Sequence, residues 1–374
     1  MKKFQLGWSR DFKLLAVTTF CLSAGFAIYS TTFNNFIVNE LGIKPGQYGF
    51  MESLREIPGF LSAAFAALAM RLATPTLAGV CLVVMGFGMG SYVFSIGIGS
   101  LLASSMFWSI GFHGWSPLQS TLTLGLSDQH KGKRFGELQS TNSMGTLITI
   151  AFVWVLIKLI GYRSMFVIAG SVVTFGGLVT FLITDKVRAL NQPRLVLKKS
   201  YSVYYALAFL QGCRRQITGF AVVFALVREY HTGPQGIAVL MFINTVAGLI
   251  FAPIIGRLID KIGERKSLSI GFIALALIFW GYSSIQNRNF LFALYCLDNL
   301  MFLWGIAVTT YLNRIAPPED IRPTLSMGVT MDHIAAVIVP FVSGLIWEMG
   351  YTRIFKIGTV IVLISLIVTQ KIRK

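Results

Sequence analysis

The sequence predicts an all-α integral membrane protein with twelve transmembrane helices, arranged as two pseudo-symmetric six-helix bundles. Three observations predict this class. Hydrophobic residues make up 55% of the 374 residues and charged residues only 13%, whereas a soluble domain carries about 25% charge. Long apolar stretches recur along the whole chain, and the second half repeats short motifs of the first half. Lipid is therefore the expected main solvent of the protein.

Twelve stretches are apolar enough to cross a bilayer, which requires about 20 residues of helix. Spans 1 to 6 are predicted over residues 13–38, 48–70, 75–96, 100–126, 136–159 and 162–184. Spans 7 to 12 are predicted over residues 200–229, 235–256, 267–286, 289–313, 324–347 and 351–370. The longest connection is polar and basic, which predicts a cytoplasmic linker (185–199) between an N-terminal bundle (1–184) and a C-terminal bundle (200–374).

The distribution of Lys and Arg predicts the orientation of the chain. If the N-terminus is cytoplasmic, 22 of the 32 Lys and Arg residues lie on the cytoplasmic side, 7 lie on the other side and 3 remain inside spans. Because basic residues concentrate in cytoplasmic loops, both termini are expected in the cytoplasm. The net charge of +17 is explained by these loops, so it does not indicate a nucleic-acid partner.

An internal repeat supports the division into two halves. Residues 161–166, GYRSMF, resemble residues 350–355, GYTRIF, and residues 46–49, GQYG, resemble residues 233–236, GPQG. In each match the second copy follows the first by nearly the same number of residues, about half the length of the chain. Tandem copies of one six-helix unit explain such a constant offset.

The connection between spans 8 and 9 carries the most specific motif, GRLIDKIGERK, at residues 256–266. It resembles the G-x-L-x-D-R-x-G-R-K loop signature of the major facilitator superfamily. The residues that match are Gly256, Asp260, Gly263, Arg265 and Lys266. Glycine at the helix end is expected to allow close approach of a neighbouring helix. The corresponding first-half loop, AMRLATPTLAG at residues 69–79, departs from the signature.

The resemblance implies a secondary transporter in which helices 1, 4, 7 and 10 line a central cavity. It further implies a small-molecule substrate, a lipid environment, no nucleic-acid partner, no cofactor apart from a coupling proton, and a monomer. The implied location is the bacterial cytoplasmic (inner) membrane. The chain is not expected to be an enzyme, because no nucleophile–base motif is visible and the loops are too short for a catalytic domain.

Ionisable residues inside spans are candidate functional residues, because each costs about 2.5–3.5 kcal/mol on insertion scales. Span 7 contains Arg214 and Arg215, and span 10 brings Asp298 to a similar depth. Adjacent helical residues point about 100° apart, so one arginine is expected to face the cavity and the other to brace the helix. Asp298 either neutralises an arginine or carries a proton. Further candidates in the cavity are His113, Asn34 and Asn35.

Two polar clusters are predicted to form gates or a proton relay. In span 2, Glu52, Arg55 and Glu56 share one helix face. In span 11, Asp332 and His333 are neighbours, and His titrates near neutral pH. Each cluster could instead be a structural ion pair.

The favoured function is proton-coupled export or exchange of a small organic solute, with anionic solutes favoured because a guanidinium binds carboxylate or phosphate through two donors. One alternative is export of a metal ion through scattered ligands: His113, Cys213, Asp298, Asp332 and His333. A resident metal site is not expected. Another alternative is a transporter-like sensor or assembly protein that moves no solute, which the altered first-half loop would favour.

Overall fold

The computed structural model describes residues 8–61, 73–127, 131–184 and 197–372. Within these ranges the chain is helical and contains no β-strand. The first six helices are α1 (Arg10–Asn39), α2 (Pro45–Arg55), α3 (Thr74–Ser91), α4 (Ile98–Gly125), α5 (131–160) and α6 (162–180). The second six are α7 (Ser202–Ile217), α8 (Pro234–Ile262), α9 (Glu264–Ser284), α10 (Arg288–Met301), α11 (Pro318–Trp347) and α12 (Thr352–Thr369). The all-α fold with twelve helices is confirmed.

Three helices continue through a change of helical form. After α2 ends, a 3₁₀ turn follows at Ile57–Leu61, where Pro58 and Gly59 make a break in the helix favourable. The α7 helix passes through a π turn at Thr218–Val222 into Val223–Arg228. The α10 helix passes through a 3₁₀ turn at Phe302–Gly305 into Ile306–Ile315.

Helices α5 and α6 form an almost continuous element, Lys131–Thr180, that is divided at one residue. Gly161 has φ of +73°, a left-handed conformation that glycine adopts without steric penalty. The predicted boundary between spans 5 and 6 falls at the same place.

Eight of the described helical elements are long and apolar enough to cross a membrane by length and composition, with Lys131–Thr180 counted as one. The α8 helix is an example: its most apolar window has a mean hydropathy of 2.3, and only 17% of that window is buried. Apolar side chains exposed in this way are expected where lipid is the solvent.

Contacts divide the chain into two compact units. The N-terminal unit contains Met1–Leu41 and Pro58–Gln192, and the C-terminal unit contains Gly42–Ile57 and Pro193–Lys374. Residues Gly42–Ile57, which include α2, therefore pack with the C-terminal helices although they lie in the first half of the sequence. The division at the linker stays a prediction, and residues 185–196 of that linker lie outside the described ranges.

In the N-terminal unit, α6 packs against both α1 and α3. Small residues permit the approach to α3: a Cβ added to Gly170 would lie 2.5 Å from the carbonyl oxygen of Gly86. Close backbone contact through small residues is typical of helices that associate in a membrane.

In the C-terminal unit, α11 packs against α7 on one side and α2 on another. A Cβ added to Gly49 of α2 would overlap the carbonyl oxygen of Pro340 and lie 3.0 Å from the Cα of Gly344, both in α11. Tyr48 of α2 stacks on Phe220 of the π turn, with ring centroids 4.8 Å apart. The α2 helix thus packs against α11 and against the π turn of α7.

Candidate functional site

A cavity of roughly 380 Å³ lies inside the C-terminal unit, between α7, α9, α10 and α11. Its polar lining comes from Tyr204, Gln211, Arg214, Arg215, Thr309 and Asp332. Pockets that bind small molecules range from about 300 to 1,000 Å³, so this cavity has room for one small solute. It joins polar groups from α7, α10 and α11 within helices that are otherwise apolar.

Arg214 and Asp298 form a closed ion pair at the wall of the cavity. Arg214 Nη1 donates a hydrogen bond to Asp298 Oδ1 at 2.7 Å, and Thr218 Oγ1 donates to Asp298 Oδ2 at 2.8 Å. The Asp298 side chain is fully buried and that of Arg214 is 6% exposed. Both carboxylate oxygens therefore have donors, which is the condition under which a buried ion pair is tolerated.

A contact with an aromatic ring restrains the Arg214 side chain in addition to its ion pair. Its guanidinium carbon lies 3.8 Å from the centroid of the Phe302 ring, a cation–π contact. Thr218, which donates to Asp298, is the first residue of the π turn. Irregular turns of this kind inside α-helices are frequent at functional sites. The turn thus puts a hydroxyl within reach of a carboxylate on α10.

Arg215 and Asp332 form an open ion pair. Arg215 Nη1 donates to Asp332 Oδ2 at 2.9 Å, but the Arg215 side chain is 52% exposed. The second oxygen, Asp332 Oδ1, is buried and has no hydrogen-bond partner among the described residues. It lies against Gly212, where an added Cβ would be 2.8 Å from Oδ1. The pair therefore has unused hydrogen-bonding capacity on both members.

Both arginines contribute to the lining of this cavity, and the expectation that one faces the central cavity while the other braces the helix stays a prediction. The arginines differ in exposure and in partner: Arg214 pairs with α10 and Arg215 pairs with α11. Side chains as long as Arg reach around a helix, so a rotation of about 100° does not by itself separate their surroundings.

Aromatic residues supply much of the apolar wall, with Tyr204, Phe272, Phe302 and Trp304 coming from α7, α9 and α10. The Trp304 ring packs on Gly271, where an added Cβ would lie 3.2 Å from Cγ. Trp304 Nε1 is buried without a hydrogen-bond partner in the part of the chain that is described. The sequence reasoning missed these residues, because aromatic side chains are common throughout an apolar chain.

The predicted gate residues form one cluster within the C-terminal unit. Arg55 makes an ion pair with Glu52 and lies 3.7 Å from Glu56. Glu56 Oε2 lies 3.4 Å from His333 Nδ1 of α11. The structure thus brings the span 2 residues together with His333, while the neighbouring Asp332 contacts Arg215.

The family of the chain is shown by a match that extends over nearly its whole length. The sequence model of the Major Facilitator Superfamily matches residues 15–200 and 204–373. The chain belongs to the major facilitator superfamily. The resemblance predicted from the loop between spans 8 and 9 is therefore confirmed, and the protein is a multi-pass membrane transporter by family and fold.

Two curated members of the superfamily are similar in sequence. The chain is 21% identical to a multi-drug resistance efflux pump PmrA homolog of Lactococcus lactis, over 91% of this chain and 89% of that protein. It is 27% identical to the uncharacterized MFS-type transporter MJ1317 of Methanocaldococcus jannaschii, over 29% of this chain and 28% of that protein. The second match thus spans little more than a quarter of its relative.

Among solved structures of the superfamily, a mutant of the nucleoside transporter NupG is similar in fold. The two share 13% sequence identity and a TM-score of 0.83, over 98% of this chain and 100% of that one. At this identity the match shows a common fold.

The loop signature of the superfamily joins α8 to α9. Gly263 has φ of +79° and ends α8, and Arg265 donates from Nε and Nη2 to Gln370 Oε1 at 3.2 and 3.1 Å. The expected close approach at Gly256 is not observed: no described atom lies within 4 Å of a Cβ added there. Asp260 and Lys266 are exposed.

Three other predicted cavity residues belong to the N-terminal unit and do not line the cavity described above. His113 is buried, with Nδ1 2.9 Å from the carbonyl oxygen of Ser109. Asn35 is buried and its Oδ1 accepts from Asn39 Nδ2 at 3.3 Å. Asn34 Oδ1 is buried with no partner within the described ranges.

Two of the candidate metal ligands of the C-terminal unit already have cationic partners. Asp298 is paired with Arg214, and Asp332 with Arg215. A guanidinium beside each carboxylate disfavours a cation at the same oxygens. These contacts argue against a metal ion at these two carboxylates.

A polar contact that the sequence did not indicate lies at the start of α11. Lys198 Nζ and Tyr201 Oη both donate to Asp320 Oδ2. The hydrogen bonds from Lys198 and Tyr201 lower the pKa of the Asp320 carboxyl from its ordinary value. This contact ties the end of the linker to α11 outside the predicted span.

Proposed function

We propose that the chain is a secondary active transporter that exports or exchanges a small organic anion by alternating access, coupled to protons. The observation that carries the proposal is the open Arg215–Asp332 pair in a cavity of transporter helices. Such a cation offers free donors to a carboxylate or phosphate. The efflux relative supports export, and the nucleoside transporter supports a small organic solute.

In this proposal the two ion pairs have different roles. Arg214 and Asp298 hold α7 to α10 and keep their contact throughout the cycle, because both are buried and both oxygens of Asp298 accept hydrogen bonds. Arg215 binds the substrate, and Asp332 takes over as the proton carrier when its arginine is engaged. His113, Asn34 and Asn35 stay candidate substrate contacts from the N-terminal unit.

The cluster of Glu52, Arg55, Glu56 and His333 is proposed as a gate. Its chain segment, Gly42–Ile57, packs on α11 but is joined at both ends to segments of the N-terminal unit. Any relative motion of the two units must therefore bend the chain near both Gly42 and Ile57, or separate α2 from α11. A charge cluster that can open is suited to that position.

The proposed location is the bacterial cytoplasmic membrane, with both termini inside. The excess of Lys and Arg in alternate loops supports this orientation. A monomer with a small-molecule substrate, no nucleic-acid partner and no cofactor other than a coupling proton completes the proposal.

The test is solute counterflow in proteoliposomes with acids, sugars, amino acids and drugs as candidates. Arg215→Gln is expected to abolish counterflow of the accepted solute, whereas Arg353→Gln, an exposed arginine at the start of α12, should keep the wild-type rate. A proton gradient should drive accumulation by the wild type. Wild-type rates from Arg215→Gln would contradict the assigned site, and the absence of counterflow for every solute would favour the sensor alternative.

A further inference from the structure

We infer that the cavity of the C-terminal unit binds an aromatic monocarboxylate, and that Asp332 accepts a proton when this carboxylate replaces it as the partner of Arg215. The inference rests on the proposed function, since it names the substrate class and the proton count of the same site. Three properties of the cavity lead to it: its charge balance, the position of Asp332 and its aromatic wall.

The charge balance restricts the ligands that the cavity can accept. Each of its two arginines is paired with an aspartate, and both carboxylate oxygens of Asp298 already accept hydrogen bonds. A ligand can therefore exchange only with the Arg215–Asp332 pair. A cationic ligand at Asp332 would leave Arg215 unpaired, and Arg does not lose its proton in proteins. An anion at Arg215 leaves Asp332 unpaired, but a carboxylate can restore neutrality by taking up a proton.

The position of Asp332 favours a ligand that carries only a carboxylate over a zwitterionic ligand that also carries an ammonium group. An ammonium group would need an accessible carboxylate oxygen, yet Oδ2 is bonded to Arg215 and Oδ1 is enclosed against Gly212. A buried oxygen without a donor is unfavourable for the ionised form. Oδ1 is consequently a suitable place for a proton, and the described lining residues offer no accessible carboxylate oxygen for a ligand ammonium.

The wall favours a flat, unsaturated solute. Phe272, Trp304 and Tyr204 line the cavity from three helices, and aromatic rings prefer other aromatic rings in stacked or edge contacts. Gln211 and Trp304 line the same cavity as Arg215, and their amide and indole N–H groups are further hydrogen-bond donors of the lining residues. Donors next to aromatic faces match a ring that bears a carboxylate.

Several charged or titratable groups surround Asp332 and must be separated from it in any test. They are Arg214, Arg215 and Cys213 of α7, Asp298 of α10, His333 of α11, and Glu52, Arg55 and Glu56 of the α2 segment. Asp332→Asn removes the proposed proton acceptor and leaves these groups unchanged. Glu348→Gln is the matched control, because it removes an exposed carboxylate at the end of the same helix instead.

The test is calorimetric titration of the full-length protein in detergent with five probes of related shape. These are 3-phenylpropanoate, its neutral amide, 3-phenylpropylamine, phenylalanine, and hexanoate, which lacks the ring. Heats measured in buffers of different ionisation enthalpy report the protons taken up. We expect 3-phenylpropanoate to bind with uptake of a single proton, and hexanoate to bind about tenfold more weakly because it lacks ring contacts.

The variants sharpen this expectation. Asp332→Asn should bind 3-phenylpropanoate without proton uptake, Glu348→Gln should keep the uptake, and Arg215→Gln should lose binding. Tighter binding of phenylalanine or of the amine, acid binding without proton uptake by the wild type, or no binding of any probe would overturn the inference. Because the wild-type proton count is decisive, the test survives a variant that fails to fold. Counterflow of some other solute in proteoliposomes would then leave the proposed function standing.

Discussion

At the scale of single residues, two adjacent arginines of α7 have opposite properties. Arg214 is 6% exposed and pairs with Asp298, both of whose oxygens accept hydrogen bonds. Arg215 is 52% exposed and pairs with Asp332, whose Oδ1 has no partner among the described residues. Burial of a charged pair is tolerated only when the hydrogen bonds are complete. Arg214 is therefore suited to hold helices together, and Arg215 is suited to exchange its partner.

Replacing Asp298 with Asn is expected to destabilise the protein by about 3–5 kcal/mol, because Arg214 would remain buried without a counter-charge. Reversible unfolding in detergent would measure the loss. The double variant Arg214→Gln with Asp298→Asn should be more stable than Asp298→Asn alone, since it removes both charges. A double variant less stable than the single one would contradict this account.

The Asp320 contact gives a prediction for acid conditions. A carboxyl whose pKa is lowered in the folded state stabilises the fold above its ordinary pKa, 3.8 here, and loses that contribution as pH falls through the lowered value. The melting temperature of the wild type should consequently decrease once the pH falls below 3.8. Asp320→Asn should melt lower than the wild type at pH 7 and show a smaller acid drop. Parallel pH profiles of the two proteins would refute the contribution of Asp320.

At the scale of elements, the close packing of α2 on α11 depends on a glycine of α2. Gly49 faces the backbone of α11 at overlapping distance, whereas Gly46, one turn earlier, has its nearest described neighbour at 3.9 Å from an added Cβ. Two glycines of one short helix therefore differ in what a methyl group would meet.

Gly49→Ala should weaken the packing of α2 on α11, since overpacking costs about 1–3 kcal/mol. Gly46→Ala is the matched control and should be neutral. The measurement is the melting temperature, together with the rate at which a maleimide labels an engineered cysteine in place of Ser53, which is buried. Faster labelling with Gly49→Ala and not with Gly46→Ala is expected. Equal rates would show that the glycine contact does not hold α2.

At the scale of the whole molecule, the segment Gly42–Ile57 links the two halves of the sequence through its packing in the C-terminal unit. If a protease site is inserted in the linker (185–199) and cut after purification, the two fragments should still co-elute in mild detergent. Tyr48→Ala removes the ring that stacks on Phe220 and should increase their separation. Complete separation of the wild-type fragments would show that this packing is too weak to join them.

Much of the fold could be predicted because lipid imposes a simple rule: each crossing needs an apolar helix of sufficient length. Helix ends also had local signals, such as Gly161 between α5 and α6 and Gly263 after α8. The packing of α2 could not be predicted, because the sequence does not tell which neighbour a membrane helix chooses.

The candidate site was predictable in its charges and not in its geometry. Charged residues are rare in the spans, so Arg214, Arg215 and Asp298 were visible in the sequence. Asp298 was expected to pair with one of the two arginines, without a choice between them, and it pairs with Arg214. The pairing of Arg215 with Asp332 depends on the approach of α11 to α7 at Gly212. Trp304 could not be identified as a cavity residue from the sequence, because its place in the wall depends on its neighbours in the fold and the chain contains many other aromatic residues.

The π turn of α7 has a consequence for the register of that helix. At Thr218–Val222 the hydrogen-bond spacing is one residue wider than in an α-helix. Deleting a single residue there would let α7 run as a regular α-helix. Because the wide turn holds about one residue more than a regular turn for nearly the same rotation, the side chains on either side should keep their relative directions. A deletion in the regular part of α7 would instead rotate the arginines relative to Phe224 by about 100°. The π turn is thus the place where α7 can lose a residue without separating its ion pairs from the packing of α2.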